Sequence, residues 1–397
     1  MSQSSADVLI AGGGPAGAAT AAWLARRGVN VLVVERAAFP REKPCAEFMS
    51  PGVVDALDRL GAWEAVRSAA PAHLRGMEVH AGDAHFTLSY ASRQGARSAI
   101  AIARPIFDQV LLDHARRQGA RVQERSAVLG TVIEGSRVVG LQVRTAEGAA
   151  TLRAQVVVGA DGLHSTVARS LGLDVPSRWP RRLGLVARYV GPHGLEECGQ
   201  MHVGGRLYCG LAPLNEQFLN VGLVTRLRDR RGGEATEAYF DRRLAQLPEA
   251  AAILAPLERR GAIRGMGPLA RRVRNVAGPG YLLVGDAAGF LDPFTGEGVY
   301  RALRGAELAG PAIEAALGRA DRVPIGYAAA RRAAFGDKER VCSLAQLFLA
   351  SRNVFSRVVG QLAARPPLAR QLAGVLGDYE PASVALQPAF LWALLRP

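Results

Sequence analysis

The chain has 397 residues, more than one typical hydrophobic core contains, and this length predicts two domains or one large composite domain. Its formal net charge is +14, but all except two of its 49 basic residues are arginines, scattered along the chain without a nucleic-acid-binding motif. We therefore expect no nucleic-acid partner, although a basic surface would attract an acidic lipid or an anionic carrier protein.

No stretch approaches the roughly 20 uninterrupted apolar residues that span a membrane. The four cysteines show no spacing typical of a metal site or a redox pair, so we expect no bound metal. These features predict a soluble, cytoplasmic protein of a reducing compartment.

The first strand, turn and helix predict a dinucleotide-binding unit. An apolar strand at 7–11 leads into Gly12-x-Gly14-x-x-Gly17, with Pro15 and Ala16 inside the turn and a run of small residues after it. This spacing gives a tight turn, a backbone that a pyrophosphate can approach and close packing of helix on strand. The phosphates would lie at the helix N-terminus, where unpaired N–H groups and the helix dipole favour negative charge.

A second strand, at 31–34, ends at Glu35, close to the spacing expected for the acid that binds a ribose hydroxyl pair. Because that carboxylate would repel a 2′-phosphate, the pattern predicts bound FAD or NAD and not NADP. A glycine-rich turn without a ligand, or a signal peptide, is the alternative interpretation. The apolar core of a signal peptide is not built from glycines, nor is it followed at once by Arg26-Arg27 and a strand.

The next 120 residues predict a mixture of loop, helix and strand. Prolines at 40 and 44 exclude a helix, so residues 39–47 are expected to form an extended loop beside the ligand crevice. Helices are predicted at 51–70 and 104–115, a hairpin at 77–90 with its turn at Gly82-Asp83, and strands at 121–128, 138–145 and 154–159.

Two later apolar strands end in an acid beside a glycine. One runs into Asp161-Gly162 and a helix that Ser165 or Thr166 would cap, and the other, at 281–284, runs into Gly285-Asp286. Either is compatible with a plain strand-to-helix turn. Two such ends downstream of a dinucleotide turn argue against coincidence.

In this order the motifs resemble those of the FAD-dependent monooxygenases and reductases of the para-hydroxybenzoate hydroxylase fold, which include flavin halogenases and geranylgeranyl reductases. The resemblance covers almost all of residues 5–330, and its third motif continues as Pro293-x-x-Gly296-x-Gly298. It implies an α/β (α+β composite) fold in three parts. These are a Rossmann-type FAD-binding domain (1–74, 97–176 and 266–335), an inserted antiparallel-sheet substrate domain (75–96 and 177–265) and a C-terminal helical cap (336–397).

The resemblance also implies contacts with FAD. Glu35 would bind the adenosine ribose, Arg104 the pyrophosphate or ribityl chain, and Asp286 the ribityl hydroxyls. The helix that begins near Gly296 to Val299 would direct its N–H groups at the pyrimidine end of the flavin. The further residues expected at the cofactor are Arg36, Arg41, Cys45, Ala46, Val128 (through its backbone, to adenine) and Asp161.

The loop at 41–47 is similar to the RxKxCGE stretch that lies over the flavin in halogenases and geranylgeranyl reductases, with Ala46 replacing the glycine. Strands predicted at 183–190, 200–203, 206–212 and 218–225 would join the 77–90 hairpin in a sheet above the substrate. Residues 208–213 align with the YxWxFP motif of the prenyl reductases, but Gly210 and Ala212 replace its large residues. This loss of bulk favours a ring substrate over a prenyl chain.

The halogenase branch uses a relay lysine and a WxWxIP motif, and neither is present: no lysine lies between Lys43 and Lys338. The resemblance therefore implies an NAD(P)H-driven monooxygenase that uses molecular oxygen, through a flavin hydroperoxide, to hydroxylate a bulky aromatic or polyketide-like molecule. His202 and Tyr208 are the candidate general bases, although a histidine in a strand is more often structural.

Two other functions remain open at this point. One is a flavin-dependent reductase of isoprenoid double bonds, and the other is a flavoprotein that serves only in binding or electron transfer. The region after 335 is predicted to be an amphipathic helical cap packed on the body, or a membrane-surface helix. The apolar residues expected on one face are Leu344, Leu347, Phe348, Phe355, Val358, Val359 and Leu362.

Overall fold

Neighbouring parallel strands of the first sheet end at a common edge. The structure, a computed structural model, describes residues 6–92, 95–195 and 197–395. In spatial order the main strands are Arg121–Gln123, Val31–Val34, Ala6–Ala11, Gly148–Gly159, Arg137–Thr145 and Ala127–Glu134. Tyr281–Leu283 pairs in parallel with the end of Gly148–Gly159 and also pairs with Ala277–Gly278. The turns after residues 11, 34, 159 and 283 therefore meet, as expected of a ligand crevice.

The helix Pro15–Ala25 is buried along its whole length because its small residues let it lie close to its neighbours. It packs between the first sheet and the helices Gly298–Leu317 and Arg104–Arg117. Val8, Ile10 and Val33 share its hydrophobic core and are fully buried. This packing fixes the glycine turn relative to the sheet edge.

A second, seven-stranded sheet lies across the crevice and is called the roof sheet below. Its strands in spatial order are Glu258–Met266, Arg182–Val190, Phe218–Arg226, Tyr208–Pro213, Cys198–Val203, Gly76–Ala81 and Ala84–Ser89. The helices Thr236–Leu244 and Pro248–Leu254 contribute Tyr239, Phe240 and Leu254 to a core on one of its faces. The other face looks toward the crevice and the C-terminal helices.

The remaining elements connect these layers. The helices are Gly52–Leu60, Trp63–Ser68, Thr166–Ser170, Tyr327–Leu349, Arg352–Ala364, Pro366–Leu376 and Pro388–Leu395, with 3₁₀ turns at Leu227–Asp229, Gly285–Ala288, Pro293–Thr295 and Ala382–Leu386. The short strands are Phe48–Met49, Ala72–Leu74, Ala91–Ser92, Gly95–Ala96, Ala99–Ala101, Asp174–Pro176 and Arg271–Val273.

Several sequence predictions are confirmed at the level of single elements. The hairpin closes at Gly82-Asp83 and joins the roof sheet, and the Ser165 hydroxyl accepts a hydrogen bond from Ala168 N to cap the next helix. The prediction of a single helix at 51–70 is wrong. Gly61 adopts a left-handed φ of 77° and separates two helices there.

The C-terminal region is helical, as predicted, and its helices Arg352–Ala364 and Pro366–Leu376 pack on the hairpin strand Ala84–Ser89. The apolar face was predicted to be continuous, but it is interrupted. One helix ends at Leu349, and Ser351 caps the next helix, which begins at Arg352. Leu347 is 57% exposed and lies outside that face. Among the residues that the structure describes, no helix combines the length and apolar character needed to cross a bilayer.

Candidate active site

The glycine turn leaves one stretch of backbone open to a ligand. A Cβ added at Gly12 would lie 2.7 Å from the Ala160 oxygen, and one at Gly17 would lie 1.8 Å from the Gly12 oxygen, so both glycines serve packing. A Cβ at Gly14 would meet only the Arg41 guanidinium, at 3.4 Å. The helix Pro15–Ala25 begins at Gly14 without a side-chain cap. Its first N–H groups and the bare backbone before them fit a diphosphate.

Glu35 lies buried at the end of the second strand and faces this turn. One carboxylate oxygen accepts a hydrogen bond from Gly13 N at 2.8 Å, and the other accepts one from Ala37 N at 2.9 Å. Its backbone oxygen accepts from Ser126 N, which brings the strand containing Val128 alongside. The carboxylate is thus held next to the turn with acceptor capacity left for ribose hydroxyls.

Two arginines share one buried carboxylate beside the turn. Arg104 donates to both oxygens of Asp108, at 2.7 and 2.8 Å, and Arg41 Nη1 lies 3.1 Å from Asp108 Oδ2. Burial alone would lower the pKa of Arg104, but the ion pair with Asp108 raises it above the ordinary arginine value. Arg41 Nε also lies 3.9 Å from Glu35 Oε1, so both guanidinium groups are held beside the turn, where they suit an anionic group of a ligand.

The loop at 41–47 is fixed from both sides. Glu47, at a positive φ of 60°, accepts a hydrogen bond from Arg104 N at 2.8 Å and another from Arg188 Nη2 of the roof sheet at 3.0 Å. Asn220, also in the roof sheet, donates to the Cys45 carbonyl at 2.9 Å. The loop therefore spans the crevice, and its Ala46 is exposed within it.

Lys43 of the same loop points into the crevice, which the sequence alone did not predict. Its Nζ lies 3.6 Å from the position of an ideal Cβ on Gly162. Burial lowers the pKa of Lys43, and the neighbouring Arg104 lowers it further. The only sequence feature that indicated a role for Lys43 was its place in the RxKxC loop. Residue spacing alone does not predict the direction of its amine.

The other two acidic motifs occupy different positions. Asp161 Oδ2 accepts from Thr166 N at 2.6 Å and Val167 N at 3.2 Å, so this side chain caps a helix, while its buried Oδ1 has no partner among the described residues. Burial raises the pKa of Asp161. Asp286, in contrast, lines the cavity directly.

One cavity joins most of the predicted cofactor residues. It is lined by Gly14, Pro15, Ala16, Cys45, Ala46, Arg104, Asp286, Gly296, Gly298 and Val299 from the predicted set. The predicted residues that do not line it are Gly12, Gly17, Glu35, Arg36, Arg41, Val128 and Asp161. Of these, Arg36 is exposed and Val128 is half-buried. The helix Gly298–Leu317 begins at the cavity without a side-chain cap, so its first N–H groups are open to a ligand.

The roof of the cavity is a patch of bare backbone. Gly184, Gly210 and Gly222 line it from three neighbouring strands, and Gly210 pairs directly with Gly222. A Cβ at Gly210 would contact Met201 at 3.5 Å, and one at Gly222 would press on Ala46 at 3.3 Å. No side chain projects from these three positions, so the backbone forms a flat part of the cavity roof, bordered at Gly184 by Leu269, 3.5 Å from an added Cβ. The sequence predicted a role for Gly210 alone. The strand register that places Gly184 and Gly222 beside it cannot be derived from the sequence.

The walls around this patch are apolar, and the space continues beyond it. The apolar lining residues are Phe48, Leu163, Leu185, Val186, Met201, Val224, Met266, Leu269, Phe290 and Pro293. A smaller adjoining cavity shares Ala46, Met201 and Gly210 with the first and extends to Tyr90 and Leu376. The two cavities therefore lie against the same residues, and both have mainly apolar walls.

Tyr208 lines the cavity, as predicted, but its hydroxyl is engaged. It donates a hydrogen bond to Asp292, and burial raises the pKa of the phenol well above its ordinary value. A hydroxyl held as a protonated donor does not suit the role of a general base.

His202 lies on the opposite face of the roof sheet, contrary to the expectation that it would face the substrate. It pairs with Cys209, whereas Val203 pairs with Tyr208, and a shift of one residue reverses the face of a strand. Burial, followed by the neighbouring His80, lowers the pKa of His202 to about 4. His202 is absent from the residues that line the cavity.

The sequence matches the family model described as "FAD binding domain" over residues 5–338. The chain belongs to this FAD-binding family. It is an FAD-dependent oxidoreductase, and the glycine turn, Glu35 and the uncapped helix ends fit the cofactor that the family name states.

The similar proteins have several activities. The chain is 31% identical over 329 residues to digeranylgeranylglycerophospholipid reductase 2 of Methanopyrus kandleri, covering 78% of this chain and 77% of that protein. The solved structure of a myxobacterial chondrochloren halogenase has a TM-score of 0.72 at 28% identity, covering 79% of this chain and 74% of that one. The anhydrotetracycline hydroxylase of Streptomyces rimosus shares the fold, with a TM-score of 0.72 at 24% identity and coverage of 94% and 76%.

Proposed function

We propose that this flavoprotein is an NAD(P)H-driven monooxygenase that hydroxylates a lipophilic, ring-containing small molecule with molecular oxygen. The observation that carries the proposal is the glycine patch formed by Gly184, Gly210 and Gly222 above the cavity. Bare backbone on three neighbouring strands makes room for the flat face of a ring, and the apolar walls exclude water from it. The anhydrotetracycline hydroxylase, which shares the fold, supports a hydroxylase.

The residues that would hold FAD follow from the site. Gly14 and the first turn of Pro15–Ala25 would bind the diphosphate, Glu35 the ribose hydroxyls and Asp286 the ribityl hydroxyls. When bound, FAD supplies the electron-accepting and oxygen-activating chemistry. The N–H groups that begin the helix Gly298–Leu317 would stabilise negative charge at the pyrimidine end of the flavin.

A second concave surface supports an anionic reductant such as NAD(P)H. Six arginines line it together with the half-exposed Trp179: Arg178, Arg181, Arg182, Arg206, Arg226 and Arg228. Arg178, Arg181 and Arg228 form no ion pair among the described residues. Arg182 also contacts Asp292, the partner of Tyr208 in the cavity wall, so this surface adjoins the active site. Guanidinium groups suit phosphates, and an exposed indole suits a stacked base.

Reduction of isoprenoid double bonds is the second candidate. The digeranylgeranylglycerophospholipid reductase favours it, as does the apolar side cavity that reaches Tyr90 and Leu376. The replacement of large residues by Gly210 and Ala212 argues against it. Large side chains would narrow the pocket and so hold a thin prenyl chain better.

The test is oxygen incorporation by the purified, FAD-loaded protein. The protein is incubated with NADH or NADPH, isotopically labelled oxygen and 4-hexylresorcinol as a lipophilic phenol, and products are analysed by mass spectrometry. We expect the phenol to accelerate NAD(P)H oxidation and to gain one labelled oxygen atom. A parallel incubation contains a polyprenyl lipid in place of the phenol. Saturation of one of its double bonds without oxygen would instead support the reductase. NAD(P)H oxidation that neither probe accelerates would support a role in binding or electron transfer.

A further inference from the structure

Three histidines lie side by side on the outer face of the roof sheet, away from the cavity. His202 pairs with His80 on the neighbouring strand, and His80 pairs with His85 on the next. The rings of His80 and His202 are stacked with centroids 4.7 Å apart, and those of His80 and His85 are 5.7 Å apart. The proposed hydroxylation uses none of them.

Glu249, in the first turn of Pro248–Leu254, approaches two of these rings at one point. Its Oε2 lies 3.4 Å from His202 Nδ1 and 3.5 Å from His80 Nδ1. These distances are long for hydrogen bonds, which for N–H and oxygen are usually about 2.7–3.2 Å. Ligand atoms about 2.0–2.1 Å from a tetrahedral Zn²⁺ are separated by about 3.3–3.4 Å. The carboxylate oxygen is therefore as far from each imidazole nitrogen as two ligands of one metal ion are from each other, and the three ligand atoms all lie within 4.8 Å of one another.

The most buried of these groups has an unpartnered atom directed at the same point. His202 is only 3% exposed, and its Nδ1 makes no hydrogen bond among the described residues. A buried polar atom without a partner is costly and calls for an explanation, such as an ion that the atom binds.

A supporting hydrogen-bond chain leaves that nitrogen free to bind a cation. His202 Nε2 lies 2.9 Å from Gln200 Oε1, an acceptor, so Nε2 carries the proton and Nδ1 keeps its lone pair. Gln200 Nε2 in turn donates to Glu78 Oε2 at 2.8 Å. Metal-binding histidines are typically oriented in this way, by an acceptor on the ring nitrogen opposite the metal.

We propose that His80, His202 and Glu249 form a binding site for a divalent cation of the Zn²⁺ class. Glu249 is 51% exposed, which gives a path for the ion and leaves a position for water as the fourth ligand. The bound ion would link the hairpin, the strand Cys198–Val203 and the helix Pro248–Leu254. The three residues have no motif spacing in the sequence, which explains why the sequence predicted no metal.

The experiment uses the full-length, FAD-loaded protein after removal of metal by a chelator. Co²⁺ is titrated as a spectroscopic probe, and Zn²⁺ is then added in competition. We expect one equivalent of Co²⁺ to bind with the intense visible bands of a tetrahedral site, and Zn²⁺ to displace it. Glu249→Gln and His80→Asn should each weaken binding at least tenfold, by the loss of a ligand. Flavin absorbance and FAD content report whether each variant is folded.

The matched control is His85→Asn, which removes the third histidine of the row but no proposed ligand. It should retain the Co²⁺ spectrum and affinity. Equal affinity of the wild-type protein and Glu249→Gln would overturn the proposal, as would an octahedral spectrum. Charge-transfer bands of a cobalt thiolate would also overturn it, because they would assign the bound metal to the cysteines.

Discussion

The phenol of Tyr208 donates a hydrogen bond to the carboxylate of Asp292 inside the wall of the active-site cavity. Asp292 is 3% exposed, and its other oxygen lies 3.1 Å from Arg182 Nε. Burial raises the pKa of both the carboxyl and the phenol. Tyr208 therefore acts as a fixed donor that satisfies a buried acid, and this role can be separated experimentally from catalysis.

Tyr208→Phe should lower the free energy of unfolding by about 1 kcal/mol, because Asp292 Oδ1 loses one of its two donors and keeps only Phe294 N. The pH dependence of kcat should stay unchanged, since the hydroxyl does not accept a proton from the substrate. Urea unfolding and a pH–rate profile check these two expectations. Tyr379→Phe is the control, since its half-buried hydroxyl makes one long hydrogen bond, of 3.3 Å, to Ala91 O. Loss of one limb of the profile in Tyr208→Phe would restore the general-base role.

Gly14→Ala should raise the Kd for FAD by about tenfold or more while leaving the fold intact. The added methyl group would meet only Arg41 in the protein but would occupy the approach to the diphosphate, at a cost of about one charge-assisted hydrogen bond. Fluorescence titration of the apoprotein with FAD measures the effect. Gly232→Ala, where nothing lies within 4 Å of the added Cβ, is the control. An unchanged Kd in Gly14→Ala would place the diphosphate elsewhere.

Gly210→Trp should reduce kcat/KM for a ring substrate by about tenfold or more, through steric exclusion from the flat space under the roof sheet. FAD content should remain that of the wild-type protein, because Gly210 faces the substrate side of the cavity. Steady-state kinetics with the phenol, together with the flavin spectrum, tests both expectations. If kcat/KM is retained, the ring does not lie beneath the glycine patch. The control is Gly232→Trp, on the exposed surface, which should change neither kcat/KM nor the FAD content.

Glu234 should contribute to stability in a pH-dependent way. Arg242 donates to both of its oxygens, at 2.7 and 2.8 Å, and this lowers the pKa of Glu234 from 4.5 to about 2. A carboxyl with a lowered pKa in the folded state stabilises the fold above its ordinary pKa and loses that effect as the pH falls toward 2. The wild-type protein should therefore exceed Glu234→Gln in stability near neutral pH, and the difference should vanish in acid.

Urea unfolding at a series of pH values measures this difference. Glu237→Gln, in the neighbouring helix, removes an acid that has no ion pair among the described residues and provides the control. A difference between wild type and Glu234→Gln that is constant with pH would rule out the ion pair as its cause.

Local patterns in the sequence predicted most of the nucleotide-binding half. The glycine turn and Val31–Val34 follow from short-range sequence, because turn geometry and strand burial are decided by residues near in the chain. The Ser165 cap could be predicted for the same reason. Gly61 was missed as a helix stop, although a left-handed glycine is a frequent one.

The features that the sequence did not predict depend on the register between strands that are distant in the chain. The face on which His202 lies depends on its pairing with Cys209 and His80, which are distant in the chain. The glycine patch arises in the same way, because Gly184 and Gly222 acquire a common direction only when their strands align. The contact between Glu47 and Arg188 joins residues 141 positions apart, so no local sequence pattern predicts it.

That contact has a consequence for how the enzyme responds to its ligands. One end of the loop at 41–47 is held by Asp108 and Glu35 at the cofactor, and the other end is held by Arg188 and Asn220 in the sheet above the substrate. A substrate that shifts the sheet would therefore also displace the groups proposed to bind FAD. By thermodynamic reciprocity, tighter binding of one ligand in the presence of the other implies the converse to the same degree. Through this loop, the binding of the substrate and the binding of FAD would each strengthen or weaken the other.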